Sequence, residues 1–279
     1  MGYKTILVNC DTAPTNDKRV EAAAEMARGC GGHLAGLFLR GNIVLPAYLE
    51  AGISPDLIML QENRTKEQAA KAKASFDAIC NRVGVSGEWR EAQGDVYELG
   101  TMNARYADLV VMGQYDSNLA DPDVVPDLPE TVALRAGRPV LLLPYIGFKG
   151  PLMGGHVMVA WNAGREATRA VSDSLPLLQA AKTVTVLAVN PKSGPRGHGE
   201  DPGADIGQFL ARHGVKVTSS FTVSDDADPG DVILSRIADL GVDMLVMGAY
   251  GHSRLRELVI GGVTRKILGS MTVPVLMSH

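Results

Sequence analysis

The chain repeats itself, and the repeat restricts it to folds that can be built twice in tandem. Ile6-Leu-Val-Asn-Cys-Asp11 matches Val157-Met-Val-Ala-Trp-Asn162, and Asp108-Leu-Val-Val-Met-Gly113 matches Asp243-Met-Leu-Val-Met-Gly248. Arg138-Pro-Val-Leu-Leu-Leu143 matches Val273-Pro-Val-Leu-Met277 when Pro139 is set on Pro274. Self-similarity of this kind outranks any local pattern as a guide to architecture. The first match is offset by 151 positions and the other two by 135, so the first half is longer by 16 residues between its early and late segments. Two duplicated domains, 1–147 and 152–279, are the economical explanation. Gly147-Phe-Lys-Gly-Pro151, a Gly/Pro stretch suited to a linker, lies at the join. A chain of 279 residues divides into two domains of ordinary size.

Within each copy, short runs of Val, Ile, Leu and Met alternate with longer helical patterns. In the second copy 157–160, 184–189, 215–223, 244–247 and 273–277 read as strands, almost wholly apolar where central. That is the pattern of a parallel sheet covered on both faces. Ala167, Ala170, Val171, Ser174 and Leu178 recur at helical spacing, as do Val232, Ile233, Ile237 and Leu240. Pro176 removes a backbone donor from the first of these helices and is expected to bend its far end. The fold class expected is α/β, with two tandem doubly wound domains, each holding a five-stranded parallel sheet of Rossmann-like kind.

Composition narrows the function. Apolar residues make up 46% of the chain and its formal net charge is −4, which fits a soluble globular protein and leaves no basic, aromatic-interleaved stripe for nucleic acid. No apolar run reaches membrane-spanning length and Met1-Gly-Tyr-Lys4 does not open a signal peptide, so a cytoplasmic location without membrane contact is expected. Cys10, Cys30 and Cys80 have no metal-ligand spacing and read as buried reduced thiols. His198 has no second ligand at a suitable spacing, so no metal site is expected.

The segment that carries chemistry is the passage from 244–248 through Gly248-x₂-Gly251-x₉-Gly261-Gly262 into the helical run Val263-Thr-Arg-Lys-Ile-Leu268. Glycines between a strand and a helix let backbone N–H groups approach an anion, and the helix N-terminus adds partial positive charge. The spacing differs from both the Gly-Lys-Ser/Thr phosphate loop and the Gly-x-Gly-x-x-Gly fingerprint. It resembles the nucleotide loop of the universal stress protein family, Gly-x₂-Gly-x₉-Gly-Ser/Thr, with Gly262 standing where the family has a hydroxyl residue. Thr264 is the candidate replacement oxygen. The resemblance runs over the full length, some members of that family being tandem chains of this size; it is specific in the second half, and in the first only the strands and their order match.

The resemblance implies a site in the second half for ATP, AMP or a related adenine nucleotide. Gly248, Gly251, Gly261, Gly262 and Val263 would line the phosphates. Val189 would meet the adenine through its backbone, with Ala160 and Asn162 at the end of the first strand. Asn162 stands where the family carries Asp; an amide hydrogen-bonds a ribose or phosphate but lacks the charge that holds Mg²⁺, which weakens a Mg²⁺ site without excluding one. Arg254 suits a phosphate, while His252 and Ser253 read as solvent-facing loop side chains.

In the first half Asp116, Pro126 and Asp127 lie opposite Gly251, Gly261 and Gly262, and Asp121, Asp123 and Glu130 deepen the negative field. Proline offers no N–H and aspartate repels phosphate, so that copy is expected to be disabled. Around the second loop stand Arg254, Arg256, Arg265 and Lys266 against Glu257.

Three readings follow. The chain is a nucleotide-binding regulator or sensor of the stress response, a non-binding dimerisation or docking module, or a slow ATP-hydrolysing enzyme. No catalytic residue is assigned, because the cradle lacks a lysine before its helix and a positioned base. The apolar insertion 42–60 is a lid, a pocket wall or packing between halves, the last being favoured; 191–203 is Gly/Pro-rich. The strands after Pro139 and Pro274 would lie at sheet edges, and by family resemblance are expected to pair antiparallel within the chain. A homodimer remains open.

Overall fold

The computed structural model describes residues 2–41, 55–119, 124–191, 201–224, 226–249 and 262–279. They form two compact units, Tyr3–Val132 and Ala133–His279.

In the first unit β1 (Thr5–Cys10), β2 (His33–Gly41), β3 (Gly87–Gly94) and β4 (Leu109–Gly113) are ordered β3-β2-β1-β4 and pair in parallel. Helices α1 (Asn16–Cys30), α2 (Pro55–Val83) and α3 (Val96–Ala104) connect them, and α4 (Leu128–Arg135) leads into the second unit. Ile6, Leu7, Val8, Leu109, Val110 and Val111 are all buried, as a parallel sheet with helices on both faces requires. Against it α1 lays Val20, Ala23, Ala24 and Ala27, one stripe at helical spacing. The start of α3 is set by Asp95, whose carboxylate accepts the N–H groups of Tyr97 and Glu98.

In the second unit the strands are β5 (Val140–Leu143), β6 (His156–Ala160), β7 (Thr183–Val189), β8 (Val217–Thr222), β9 (Met244–Gly248) and β10 (Val275–Ser278), ordered β5-β10-β9-β6-β7-β8. The run β8-β7-β6-β9 repeats the order β3-β2-β1-β4, so the duplication in sequence is a duplication of topology. All pairings are parallel except one: β10 pairs antiparallel with β5, Leu276 facing Leu141. The last strands of the two repeats are therefore hydrogen-bonded to each other within one compact unit, which is why the division by compactness falls before β5.

Helices α5 (Arg165–Ala180), α6 (Ala204–Arg212), α7 (Pro229–Asp239) and α8 (Gly262–Ser270) complete this unit. Ala167, Ala170, Val171, Ser174 and Leu178 form the buried face of α5. The helix runs on past Pro176, with Leu177 and Leu178 buried beyond it. Asp228 caps α7, accepting the Gly230 N–H at 2.8 Å, with Pro229 in the first turn where its missing N–H costs nothing. Ile233 and Ile237 face inward from α7, whereas Leu240 lies just past its end and is 45% exposed. The third strand of this copy is shorter than the run 215–223 read from the sequence, Val215 being buried ahead of it.

Of the apolar insertion, 42–54 fall outside the described residues, and 55–60 are the opening turns of the 29-residue helix α2, with Met59 and Leu60 exposed. Cys10 and Cys80 are buried and Cys30 half-buried; all three are free thiols.

Leu276 is fully buried between Val246 on one side and Leu141 on the other. Leu276→Ala is expected to lower stability by about 2–5 kcal/mol through lost transfer energy and a residual cavity. Urea unfolding checks this, the midpoint falling while the slope stays unchanged.

Candidate functional site

In an open α/β sheet the crevice for a ligand opens beyond the carboxyl ends of the strands, where the order of connection reverses. In the second unit that point lies between β6 and β9, since β6 connects onward to β7 on one side and is flanked by β9 on the other. Because β9 and β10 are parallel, the helix between them must run back, and its N-terminus lies at the same edge of the sheet.

Several residues singled out from sequence come together there. Ala160 ends β6, in register with Met247 of β9 and Leu187 of β7. Val189 ends β7. Asn162 is exposed, and its side-chain oxygen accepts the Gly164 N–H at 2.9 Å, closing a turn in which Ala163 takes a φ of 57° before α5 begins. Gly248 ends β9, and there the backbone approach is tight: a side-chain carbon would stand 2.5 Å from the Ala167 N and 2.6 Å from the Glu166 carbonyl carbon. Glycine at 248 is thus required by the first turn of α5, independently of any ligand.

Beyond Gly248 the chain is pinned to the end of β10. The Ala249 N–H donates to the Ser278 carbonyl at 2.8 Å, and the His279 Nδ1 lies 3.0 Å from the Ala249 carbonyl. The loop then leaves the described residues; Gly251, His252, Ser253, Arg254, Arg256 and Gly261 all lie outside them. It re-enters at Gly262, the first residue of α8, which is exposed and would have nothing within 4 Å of an added side-chain carbon. Val263 is half-buried and Thr264 buried. No acidic residue occupies the first turn of α8, so the partial positive charge of its N-terminus is not offset there. Of the basic residues near this end, Lys266 is engaged, its amine 2.9 Å from Asp231, while Arg265 is exposed.

The first unit treats the same place differently. The turn after β1 is the same device, Asp11 Oδ1 accepting the Ala13 N–H at 3.0 Å. The Asp11 carboxylate also meets Arg19, 2.6 Å from its Nη2, and Arg19 is 3% exposed. The guanidinium further donates to the Asn9 carbonyl at 2.8 Å and to the Asn16 side-chain oxygen at 3.3 Å. It lies against Gly113, where a side chain would collide with it. Gly113 is the counterpart of Gly248, so an internal cation stands at the switch point of the first unit where, among the described residues, the second has the Glu166–Ala167 turn of α5. Reading the sequence missed Arg19. Its one local trace is a charged residue immediately before the apolar stripe Val20, Ala23, Ala24, Ala27.

The described parts of the first unit's loop, on either side of 120–123, bond locally. Asp116 accepts from the Asn118 N–H at 2.9 Å and from its side-chain amide at 3.0 Å. The Asp127 carbonyl accepts the Thr131 N–H at 3.0 Å as α4 starts. Asp121 and Asp123 lie outside the described residues. Glu130 in the first turn of α4 has its Oε2 buried with no hydrogen-bond partner among the described residues. Burial first, and the charge of Asp127 second, push its carboxyl above the ordinary value. Burial likewise pushes the Cys10 thiol up to about 12, against the opposing pull of Arg19. Among the described residues no three His, Cys, Asp or Glu side chains cluster as metal ligands, and no helix is long and apolar enough to cross a membrane.

Two consequences are measurable. Removing the guanidinium with Arg19→Met leaves the Asp11 charge without its cation and the Asn9 carbonyl without that donor, while the Ala13 N–H still reaches Asp11. The expected loss is about 3–5 kcal/mol in urea unfolding, part of it recovered when Asp11→Asn is added. For Glu130 the folded state holds the proton more tightly than the unfolded one. Its favourable contribution is therefore present at low pH and lost as pH rises through the folded value. Glu130→Gln should raise the melting temperature at neutral pH, and the advantage should vanish below about pH 4.3.

Comparison with known proteins agrees with this geometry. Residues 153–279, which include every candidate residue of the second unit, match the Universal stress protein family. A universal stress protein of Synechocystis is 53% identical over 38 residues, 14% of this chain and 13% of that protein. One of Methanocaldococcus jannaschii is 35% identical over 49 residues, 18% of this chain and 30% of that protein. The matched segments thus span well under half the length of these curated relatives. A universal stress protein of Archaeoglobus fulgidus superposes with a TM-score of 0.73 at 15% identity, over 98% of this chain and 97% of that one. A functionally unknown protein of Pseudomonas aeruginosa PAO1 superposes at 0.59 with 16% identity, over 99% of this chain and 92% of its own. The chain therefore carries a universal stress protein domain at 153–279 and has the universal stress protein fold over its whole length.

Proposed function

We propose that the second unit binds an adenine nucleotide, ATP or AMP, and that occupancy of this site is the signal by which the protein acts as a stress-response regulator. The phosphates would rest on the glycine loop from Gly248 to Gly262 and on the N-terminus of α8, with Val189, Ala160 and Asn162 toward the nucleoside. Arg254 would reach the phosphates from within the loop. The observation that carries this reading is the contrast between the switch points: one holds a buried Arg19–Asp11 pair, the other leads into a helix start free of acidic residues. Oxyanions are favoured at such a helix start by its N–H groups and dipole. A Mg²⁺ ion accompanying ATP would depend on phosphate and water oxygens, since Asn162 contributes no carboxylate.

The second reading, a docking module without nucleotide, draws on Gly262 in place of a hydroxyl residue and on the burial of Thr264. On that reading the domains, here 1–147 and 152–279, serve association alone. Slow hydrolysis is a variant of the first reading and is separated from it by the same samples.

Calorimetric titration of ATP, ADP and AMP onto the wild type and onto Gly251→Asp, which copies Asp116 of the first unit, tests the proposal. One nucleotide per chain is expected, with affinity at least about tenfold weaker in the variant, or roughly 1.4 kcal/mol. Equal affinities would remove the loop from the site, and no heat with any of the three would favour the docking module. Phosphate release measured in parallel is expected to stay at the level of buffer.

A further inference from the structure

The outermost strand of the second unit is β8, and among the described residues no strand pairs with its outer edge. Its inner edge is fixed by the register with β7. The Val184 N–H donates to the Lys216 carbonyl and the Asn190 N–H to the Thr222 carbonyl. In a parallel ladder one residue directs both its N–H and its C=O to the same neighbour, so 216, 218, 220 and 222 face β7. Val217, Ser219, Phe221 and Val223 consequently point their main-chain groups outward.

Within the strand itself this edge lacks the charges and proline that usually protect one. The terminal strand of the first unit, β3, carries Glu88, Arg90 and Glu91 within eight residues, and these are ion-paired: Arg90 with Glu88, Arg40 with Glu91 at 3.7 Å. Charges of that kind discourage strand addition. From Val217 to Ser224, β8 and its continuation read Val-Thr-Ser-Ser-Phe-Thr-Val-Ser, with no charge and no proline. Phe221 is 53% and Val223 65% exposed. The last strands of the two repeats, β5 and β10, are already paired with each other.

We propose that β8 is a homodimer interface, in which the β8 edges of two copies of this chain pair antiparallel about a twofold axis. The outward groups specify the register. Val217 of one copy faces Val223 of the other and Ser219 faces Phe221, so that all four outward residues exchange hydrogen bonds and Ser220 meets its own copy at the axis. The flanks agree in charge, because the strand is preceded by Lys216 and followed by Asp226. Antiparallel pairing brings each basic end toward the acidic end of the partner, whereas a parallel arrangement would set like charges together. The interface is isologous and closes at two chains, because pairing uses the β8 edge of each copy once.

The test combines mass, charge and register on the full chain without added nucleotide. Light scattering across a concentration series is expected to approach twice the 29.6 kDa of one chain. Phe221→Lys, which places a charge opposite Ser219 of the other copy at an exposed position, is expected to keep the circular dichroism melt and shift the mass to one chain. On a Cys30→Ser background, Ser220→Cys should cross-link on mild oxidation, since non-hydrogen-bonded antiparallel pairs stand about 4.5 Å apart, within disulfide reach. Thr218→Cys, opposite Thr222, should not. A single-chain mass at every concentration, a dimer indifferent to Phe221→Lys, or cross-linking of Thr218→Cys as readily as Ser220→Cys would each overturn the proposal.

Discussion

The arrangement of the second unit depends on β10 being hydrogen-bonded along both edges. On one side it runs parallel to β9, on the other antiparallel to β5, and Leu276 is in register with Val246 and Leu141 at once. A four-residue strand with one neighbour would be a marginal element; with two it becomes the centre of a buried apolar layer. Its end then serves the site, because Ser278 and His279 hold both main-chain groups of Ala249. The glycine loop thus departs from a fixed point, although its departure is set by a strand that belongs to neither the loop nor the preceding helix.

The same layer explains how sequence and structure correspond. Runs such as Ile6-Leu7-Val8 and Leu245-Val246-Met247 are legible as central strands because burial on both faces demands apolar residues without alternation. The stripe of α5 was legible for the same reason, and the helix continues through Pro176 with Leu177 and Leu178 buried beyond it. Edge behaviour was harder to see. The strand around Val217 is polar and exposed, so its ends cannot be located by hydropathy, and 215–223 shrinks to 217–222. The opening of α2 at Pro55 was hidden inside an apolar insertion whose composition does not distinguish helix from loop.

At the site, the glycines, the strand ends and the helix start were readable from spacing, but the reason for Gly248 was not. A contact with the main chain of Glu166 and Ala167, some eighty positions away, is a property of the fold and leaves no mark near the glycine itself. Arg19 was unreadable for a related reason. Its partners Asn9, Asp11 and Asn16 are near in sequence, yet its lodging against Gly113 depends on β4 lying beside β1.

Asp11 and Asn162 make the same turn, each accepting the N–H of the residue two positions on, but only Asp11 brings a charge to it. A carboxylate held at a poorly hydrated strand end needs a cation, and in the first unit Arg19 supplies it permanently from the adjoining helix. That guanidinium occupies the space beside Gly113. An amide makes the turn equally well and needs no counter-charge, so at the second switch point α5 can approach Gly248 directly by its main chain. The exchange of Asp for Asn, which looks in sequence like the loss of a metal or nucleotide contact, is at the level of structure the difference between a strand end that must be filled by an internal cation and one that need not be.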